Sequence, residues 1–128
     1  MLNVVLPIAA AGAMPYALTL VSKSRNFGFK DNHHVRAWQA QLTGWQQRAY
    51  WAHQNSFEAF PLFATMMILA HLFQPTSVIA PYAAWAFVGL RLLYAVAYLA
   101  DRASLRTIFW TLAMGAVLTL LLVAMGAA

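Results

Sequence analysis

Four long apolar segments, separated by short polar connections, dominate this sequence. The first carries no charged residue, and the other three carry few for their length. A helix needs about 20 consecutive apolar residues to cross the hydrocarbon core of a bilayer, and each segment reaches that length. Hydrophobic residues make up 62% of the chain and charged residues 9%, too few charges for the surface of a soluble domain. The sequence therefore predicts an all-α integral membrane protein, one domain over residues 1–128 folded as a four-helix bundle with helices at about 2–21, 44–73, 77–100 and 105–125.

The distribution of charge predicts the topology and excludes one class of partner. All eight Lys and Arg residues except Arg91 lie in or beside the first and third connections, and the second connection has none. The positive-inside rule then places both basic connections in the cytoplasm and both termini outside it. The basic residues form no stripe interleaved with exposed aromatic side chains, so nucleic-acid binding is excluded.

Metal and thiol chemistry have little support in this chain. It contains no cysteine, which excludes disulfides, cysteine nucleophiles and thiolate metal sites. His33 and His34 are adjacent, a spacing that does not bring both side chains to one metal ion in a helix. No third ligand accompanies them, so we expect no metal site.

A first group of polar residues lies in the second apolar segment, just before the run that reads as membrane-embedded. Arg48, Asn55 and Glu58 fall at intervals of seven and three residues, which places them on roughly one face of a helix. Such groups are costly at membrane depth unless they pair or face a polar cavity, so they are candidates for function. The alternative is that they only hold neighbouring helices together by hydrogen bonds.

A second group follows the third segment into the fourth. Arg91, Tyr94, Tyr98 and Arg102 stand at spacings of three, four and four, and predict a polar stripe along one helix face. The alternative is a structural stripe that ends in interfacial aromatic residues. Arg106 lies in the first turn of the last helix, where the helix dipole disfavours a cation unless a bound anion or the positive-inside bias compensates.

Together the two groups suit a small zwitterion with more negative than positive charge. Arginines match carboxylates, a glutamate matches an ammonium group, and an asparagine matches a peptide group. Glutathione fits this description, and so do other peptides and polar lipid head groups. The spacing alone does not choose among them.

Two sequence patterns add a family resemblance to this reading. The pattern R-x4-H-x-N-x2-E-x2-P begins at Arg48, and R-L-L-Y-A-V-A-Y-L-A-D-R-A-S-L-R-T begins at Arg91. Both resemble signatures of the MAPEG family, which contains microsomal glutathione transferases, leukotriene and prostaglandin E synthases, and the non-enzymatic five-lipoxygenase-activating protein. The resemblance covers all four predicted membrane helices. It is closest to the bacterial branch of the family, which implies a bacterial inner membrane.

The resemblance implies both an assembly and a set of site residues. It implies a homotrimer of four-helix protomers, with three glutathione sites at subunit interfaces that admit lipophilic substrates from the bilayer. Glutathione would act as co-substrate. The residue matching Arg106 is the one proposed to hold its thiol as thiolate. The positions that match those surrounding glutathione in the family's enzymes are Asn55, Glu58, Arg91, Tyr98, Arg106 and Thr107.

The residues and the resemblance together predict one site. We predict Arg106 and Thr107 as the catalytic residues. The predicted glutathione-binding residues are Arg48, Asn55, Glu58, Arg91, Tyr94 and Tyr98. Two departures from the family pattern weaken this prediction: Gln54 stands where an arginine is often found, and Trp110 stands where a tyrosine is often found.

Three functions follow as hypotheses. The first is a glutathione-dependent transferase or peroxidase acting on lipophilic electrophiles. The second is a non-catalytic membrane protein that binds a lipid or presents it to a partner. The third is an accessory subunit whose polar face mainly holds an oligomer together. Turnover that depends on a thiol separates the first from the other two.

The sequence also predicts several local features. Residues 23–42 read as one loop, and Thr43 with Gln46 reads as a capping box that opens the second helix. Thr76 or Ser77 should cap the third helix. Gly12 and Gly89 are expected to ease contact between helices of neighbouring copies.

Overall fold

The computed structural model describes residues 2–128, and every regular element within that range is helical. The helices are α1 (Leu2–Ser22), α2 (Val35–Ala40), α3 (Gly44–Phe73), α4 (Ile79–Leu99) and α5 (Ala103–Ala124), with a short 3₁₀ turn at Asp31–His33. Four of these helices, all except α2, are long and apolar enough to cross a membrane, with mean hydropathy between 1.5 and 2.1. The expectation of an all-α integral membrane bundle with four spans is confirmed.

Helix ends differ from the predicted ones by at most two residues. α3 has the predicted bounds, whereas α4 begins at Ile79 and α5 begins at Ala103. Ser77 caps α4 as expected, because its Oγ accepts a hydrogen bond from the backbone N–H of Ala80 at 3.3 Å. The first connection is more structured than predicted, since it holds both the 3₁₀ turn and α2.

The predicted capping box at the start of α3 does not form. Thr43 is the N-cap residue but makes no side-chain hydrogen bond there. Gln46 instead donates from Nε2 to the backbone carbonyls of Ser22 at 2.9 Å and Arg25 at 3.0 Å. Both carbonyls lie at or just beyond the C-terminal end of α1 and lack helical partners, so Gln46 binds them and does not form a local cap. The side chain of Gln46 therefore fastens the end of α1 to the start of α3.

Small residues let the four long helices approach one another closely. α1 packs mainly on α3, and α4 mainly on α5, with further contacts joining α3 to both α4 and α5. The buried face of α3 carries alanine or serine at 49, 52, 56, 59 and 70. Between α3 and α4, the rings of Phe63 and Phe87 stack with centroids 4.0 Å apart. Interhelical packing in lipid depends on such van der Waals contact, since water drives no apolar burial there.

Gly12 has a role inside the protomer. A Cβ atom built on it would lie 3.2 Å from the ring of Phe60 in α3, closer than ordinary van der Waals contact. Gly89, by contrast, has nothing within 4 Å of such an atom. Of the two glycines, only Gly89 is open to a neighbouring copy.

α3 is longer than a bilayer requires. Its 30 residues span about 45 Å at ~1.5 Å per residue, whereas the hydrocarbon core is about 30 Å thick. Its first turns approach the end of α4 and the start of α5. Arg48 in α3 donates from Nε to the carbonyl of Leu99 at 3.2 Å. The polar first third of α3 and the α4–α5 turn therefore share one end of the bundle.

Candidate functional site

Asn55 and Glu58 form the polar centre of the site. They lie one turn apart on α3, and Asn55 Nδ2 donates to Glu58 Oε2 at 3.2 Å. The other amide atom, Asn55 Oδ1, is buried and has no hydrogen-bond partner. A buried acceptor without a donor carries a desolvation penalty, and such an atom in a native site calls for a ligand or a water. Asn55 therefore holds a buried, unpartnered acceptor next to an exposed carboxylate.

Two adjoining cavities open beside these residues, and together we call them the lateral recess. One is about 450 Å³ and is lined by Trp51, Gln54, Asn55, Glu58, Tyr94 and Tyr98. The other is about 260 Å³ and is lined by Asn55, Tyr94, Tyr98, Arg106, Thr107 and Trp110. The two cavities have Asn55, Tyr94 and Tyr98 in common. The lateral recess therefore brings together residues from α3, α4 and α5 that lie up to 59 positions apart.

Tyr94 and Tyr98 build the wall shared by the two cavities. Their rings meet edge to face with centroids 5.5 Å apart. Tyr94 is buried and Tyr98 is half-buried. The guanidinium of Arg106 lies over the ring of Tyr98 at 4.5 Å from its centroid, a cation–π contact. This contact fixes the cation at the mouth of the lateral recess.

Arg106 makes no ion pair with a carboxylate in the described part of the chain. The only ion pair within residues 2–128 joins Arg48 to Asp101. Arg106 is also the fourth residue of α5, close to free backbone N–H groups at the positive end of the helix dipole. Its charge and the dipole both favour an anion at that point. Thr107, its neighbour, donates its hydroxyl to the carbonyl of Ala103 at 3.2 Å.

Arg48 lies outside the lateral recess. Besides its bond to the carbonyl of Leu99, its Nη1 lies 3.7 Å from Asp101 Oδ2. Asp101 adopts a positive φ of 58° in the tight turn between α4 and α5, a conformation that aspartate tolerates better than most residues. Arg48 thus joins the start of α3 to that turn, which is the structural alternative raised by the sequence.

Arg91 also lies away from the cavity surface. It is 2% exposed, donates from Nη2 to Ser56 Oγ at 3.2 Å, and lies over the ring of Tyr94 at 4.1 Å. The Ser56 hydroxyl proton goes to the carbonyl of Ala52 at 2.8 Å, which leaves its lone pairs for the guanidinium. Arg91 Nη1 has no partner. Its charge therefore reaches the lateral recess only through Tyr94.

Several lining residues were not among the predicted site residues. Trp51, Gln54 and Trp110 line the lateral recess, and Ser56 holds Arg91. The sequence contained a signal for Trp51 and Trp110, because each lies four positions from a site residue, Asn55 and Arg106. Ser56 could be recognised only as a polar residue on the small-residue face of α3.

A further cavity of about 490 Å³ lies on the other flank of α3, under α2. It is lined by Val35, Arg36, Gln39, Tyr50, His53, Gln54, Phe57 and Glu58. His53 Nδ1 lies 2.7 Å from the carbonyl oxygen of Pro15. A carbonyl only accepts, so Nδ1 carries a proton and donates it to this oxygen. Gln54 and Glu58 line both this cavity and the lateral recess.

Comparison with known proteins gives one match. A model of the MAPEG family, a family of membrane proteins of glutathione and eicosanoid metabolism, matches residues 4–126. No curated protein and no solved structure matches the chain. The matched range includes α3, α4 and α5 in full, all but the first two residues of α1, and every residue of the lateral recess. By this match, over nearly its whole length, the chain belongs to the MAPEG family.

Proposed function

We propose that the protein binds glutathione in the lateral recess and catalyses the attack of its thiolate sulfur on lipophilic electrophiles that arrive from the bilayer. One observation carries the proposal. The unpartnered acceptor Asn55 Oδ1, the exposed carboxylate of Glu58 and the unpaired cation of Arg106 line one recess whose two parts have volumes of about 450 and 260 Å³. Cavities of roughly 300–1,000 Å³ are typical of sites for small molecules.

Each polar group of the recess matches a group of glutathione. Glu58 receives the ammonium group, and Asn55 Oδ1 accepts a peptide N–H, which satisfies the buried acceptor. Tyr94 and Tyr98 supply the wall against which the tripeptide packs. Arg106 faces an anion, either the thiolate or a carboxylate. Arg48 and Arg91 contribute indirectly, the first by fixing the α4–α5 turn and the second by its charge behind Tyr94.

Arg106 activates the glutathione thiol by lowering its pKa. A thiol with a pKa near 8.5 is only about 3% thiolate at pH 7, and the thiolate is the nucleophile. An adjacent arginine lowers such a pKa by about 1–3 units. A decrease of about 2 units in the thiol pKa raises the thiolate fraction to about 75%, roughly 25-fold. The thiolate sulfur then forms a bond to the electrophilic carbon, and the leaving group departs with its electron pair. Thr107 can donate to the sulfur once its hydroxyl leaves the Ala103 carbonyl.

Assembly as a homotrimer and a defined orientation belong to the same proposal. Glu58, Gln54 and Thr107 are exposed on the flank of an isolated protomer, where lipid would otherwise meet them. A neighbouring copy covers polar flanks of this kind in oligomeric membrane proteins. The basic first and third connections put the recess end on the cytoplasmic side of a bacterial inner membrane and the termini outside.

A non-catalytic lipid-binding or accessory role is the second candidate. Two observations favour it: Trp110 stands at the recess beside Arg106, and the Thr107 hydroxyl is committed to the Ala103 carbonyl. In that case, glutathione or a lipid would bind without activation of a thiol.

The experiment measures binding and thiolate formation in the same preparations. Detergent-purified wild type, Arg106→Ala and Arg102→Ala are titrated with glutathione by calorimetry, and ultraviolet absorbance reports the thiolate. Arg102 is the matched control, because it is exposed, lies four residues earlier and lines neither cavity. We expect a thiolate signal in wild type and Arg102→Ala, and its loss in Arg106→Ala. Binding without a thiolate signal in wild type would support the second candidate, and absence of binding would refute the proposal.

A further inference from the structure

The connection between α1 and α3 is a folded platform at the membrane surface. We call residues 23–42 the basic loop. Lys23 Nζ lies over the ring of Phe27 at 4.7 Å, and Phe27 meets Trp38 edge to face at 4.9 Å. The side chain of Gln46 holds its first residues against α3 through the carbonyl of Arg25. The two helices that it joins both cross the membrane, so the basic loop has to lie where their ends emerge.

The charge of the basic loop is almost entirely positive. It carries Lys23, Arg25, Lys30 and Arg36 against a single acidic residue, Asp31. Asp31 is engaged locally, since its Oδ2 accepts a hydrogen bond from the backbone N–H of Gly28 at 2.7 Å. Lys30 and Arg36 are exposed and make no ion pair within residues 2–128. Half of the basic residues of the chain therefore lie on one short connection without neutralising partners.

Phe29 adds an apolar group beside these cations. It is 97% exposed, the most exposed large hydrophobic residue of the described chain. It precedes Lys30 directly, and the cluster of Lys23, Phe27 and Trp38 leaves it outside. Transfer of a phenyl ring from water to an apolar medium is favourable, and aromatic residues concentrate at membrane interfaces.

We propose that the basic loop is a docking surface for anionic phospholipids of the adjacent leaflet. Its lysines and arginines contact lipid phosphates, and Phe29 inserts between the acyl chains. Charge complementarity supports this occupant, since clusters of basic residues next to a membrane span attract anionic head groups. Continuity with the spans supports it too, because the loop begins directly after Ser22, the last residue of α1, and leads into α3. A soluble polyanion would satisfy the cations but would leave Phe29 in water.

A cysteine-free chain allows a single reporter to be attached at a chosen position. Asn32→Cys, labelled with an environment-sensitive fluorophore, places the reporter in the basic loop, and Thr76→Cys places it in the exposed turn at the opposite end. Each protein in detergent is titrated with short-chain phosphatidylglycerol, phosphatidylcholine of the same chain length, or inorganic phosphate. We expect a saturable blue shift at position 32 with phosphatidylglycerol, weakened by salt, and little response at position 76.

Charge variants test the mechanism directly. Lys30→Gln with Arg36→Gln, in the Asn32→Cys background, should raise the apparent Kd for phosphatidylglycerol at least tenfold, since each surface charge contributes about fivefold. Arg102→Gln removes a basic residue at the same end outside the loop and should leave the Kd within about twofold. An equal response to phosphatidylcholine or to phosphate, or an unchanged Kd in the double variant, would overturn the proposal. Should the double variant not fold, the proposal is tested by comparing the responses of the labelled Asn32→Cys protein to phosphatidylglycerol, phosphatidylcholine and phosphate.

Discussion

Arg91 is a buried cation that makes no ion pair with a carboxylate within residues 2–128. It is 2% exposed, donates from Nη2 to the Ser56 hydroxyl at 3.2 Å, and lies over the ring of Tyr94. Leaving Nη1 unpaired is expensive, so a purely structural purpose would be better served by an apolar side chain. We therefore expect that the charge of Arg91 raises the electrostatic potential of the lateral recess. The ring of Tyr94 lies between the guanidinium and the recess.

Replacing Arg91 with methionine should separate binding from stability. The Arg91 guanidinium lies 4.1 Å from the centroid of Tyr94, so an anion at a similar distance on the other side of the ring is about 8 Å from the charge. At an effective dielectric constant of about 20, two unit charges at this separation interact by about 2 kcal/mol. Arg91→Met should therefore weaken glutathione binding about 30-fold. Replacing a buried charged group with an apolar one of similar volume is often neutral or stabilising by about 1–4 kcal/mol, so the unfolding temperature should not fall.

Calorimetric titration with glutathione and thermal unfolding in the same detergent measure the two effects. Arg91→Lys keeps the charge and should retain most of the affinity, and Ser56→Ala removes the acceptor without removing the cation. If Arg91→Met binds glutathione like wild type but unfolds at a lower temperature, the electrostatic reasoning is wrong and Arg91 is a helix pin. If Arg91→Lys loses as much affinity as Arg91→Met, hydrogen-bond geometry rather than charge is responsible.

Two further predictions concern the ligand and the assembly. Glu58→Gln should weaken glutathione binding by about 1.5–3 kcal/mol, the range for a hydrogen bond to a charged group, with little change in unfolding temperature. Asp31→Asn is the control. Reduced stability of Glu58→Gln at unchanged affinity would contradict a ligand role for Glu58. Gly89→Leu should lower the fraction of trimer in native mass spectrometry, because its Cβ meets nothing within 4 Å in the protomer. Gly12→Leu should instead destabilise the protomer by about 1–3 kcal/mol through overlap with Phe60. A trimer that tolerates Gly89→Leu would argue against contact between copies at Gly89.

The membrane makes the gross fold of this chain predictable. A spanning segment has to be helical and has to reach a minimum length, so apolar runs and their charged borders reveal the helices. The existence of the four spans follows from sequence for this reason. The features that failed depend on distant partners instead. Gln46 has a suitable position for a capping box, yet it binds carbonyls at the end of α1, more than 20 residues away.

Helical spacing predicts which residues of α4 share a face, but it does not predict which of them point toward the lateral recess and which toward the interior. Arg91, Tyr94 and Tyr98 share a face of α4, as the intervals of three and four require. Tyr98 reaches the lateral recess, whereas Arg91 turns toward the interior, where Ser56 and Ala11 leave room beside it. Which edge of a face is buried depends on the sizes of residues on other helices. The same limit applies to Arg48, whose partners at Leu99 and Asp101 lie about 50 positions along the chain.

The exposed carboxylate of Glu58 links the proposed ligand to the proposed assembly. α3 exceeds the hydrocarbon core by about 15 Å, so even if all of the excess projects at the recess end, about ten residues lie outside. Glu58 is fourteen residues after Gly44 and hence lies below that boundary, one turn from the unpartnered Asn55 Oδ1. Lipid cannot solvate a carboxylate at this depth. A ligand ammonium supplies the missing charge, and a neighbouring protomer excludes lipid from the same flank. In the function that we propose, glutathione binds at the covered flank and contacts both protomers, so glutathione binding and trimer formation stabilise each other.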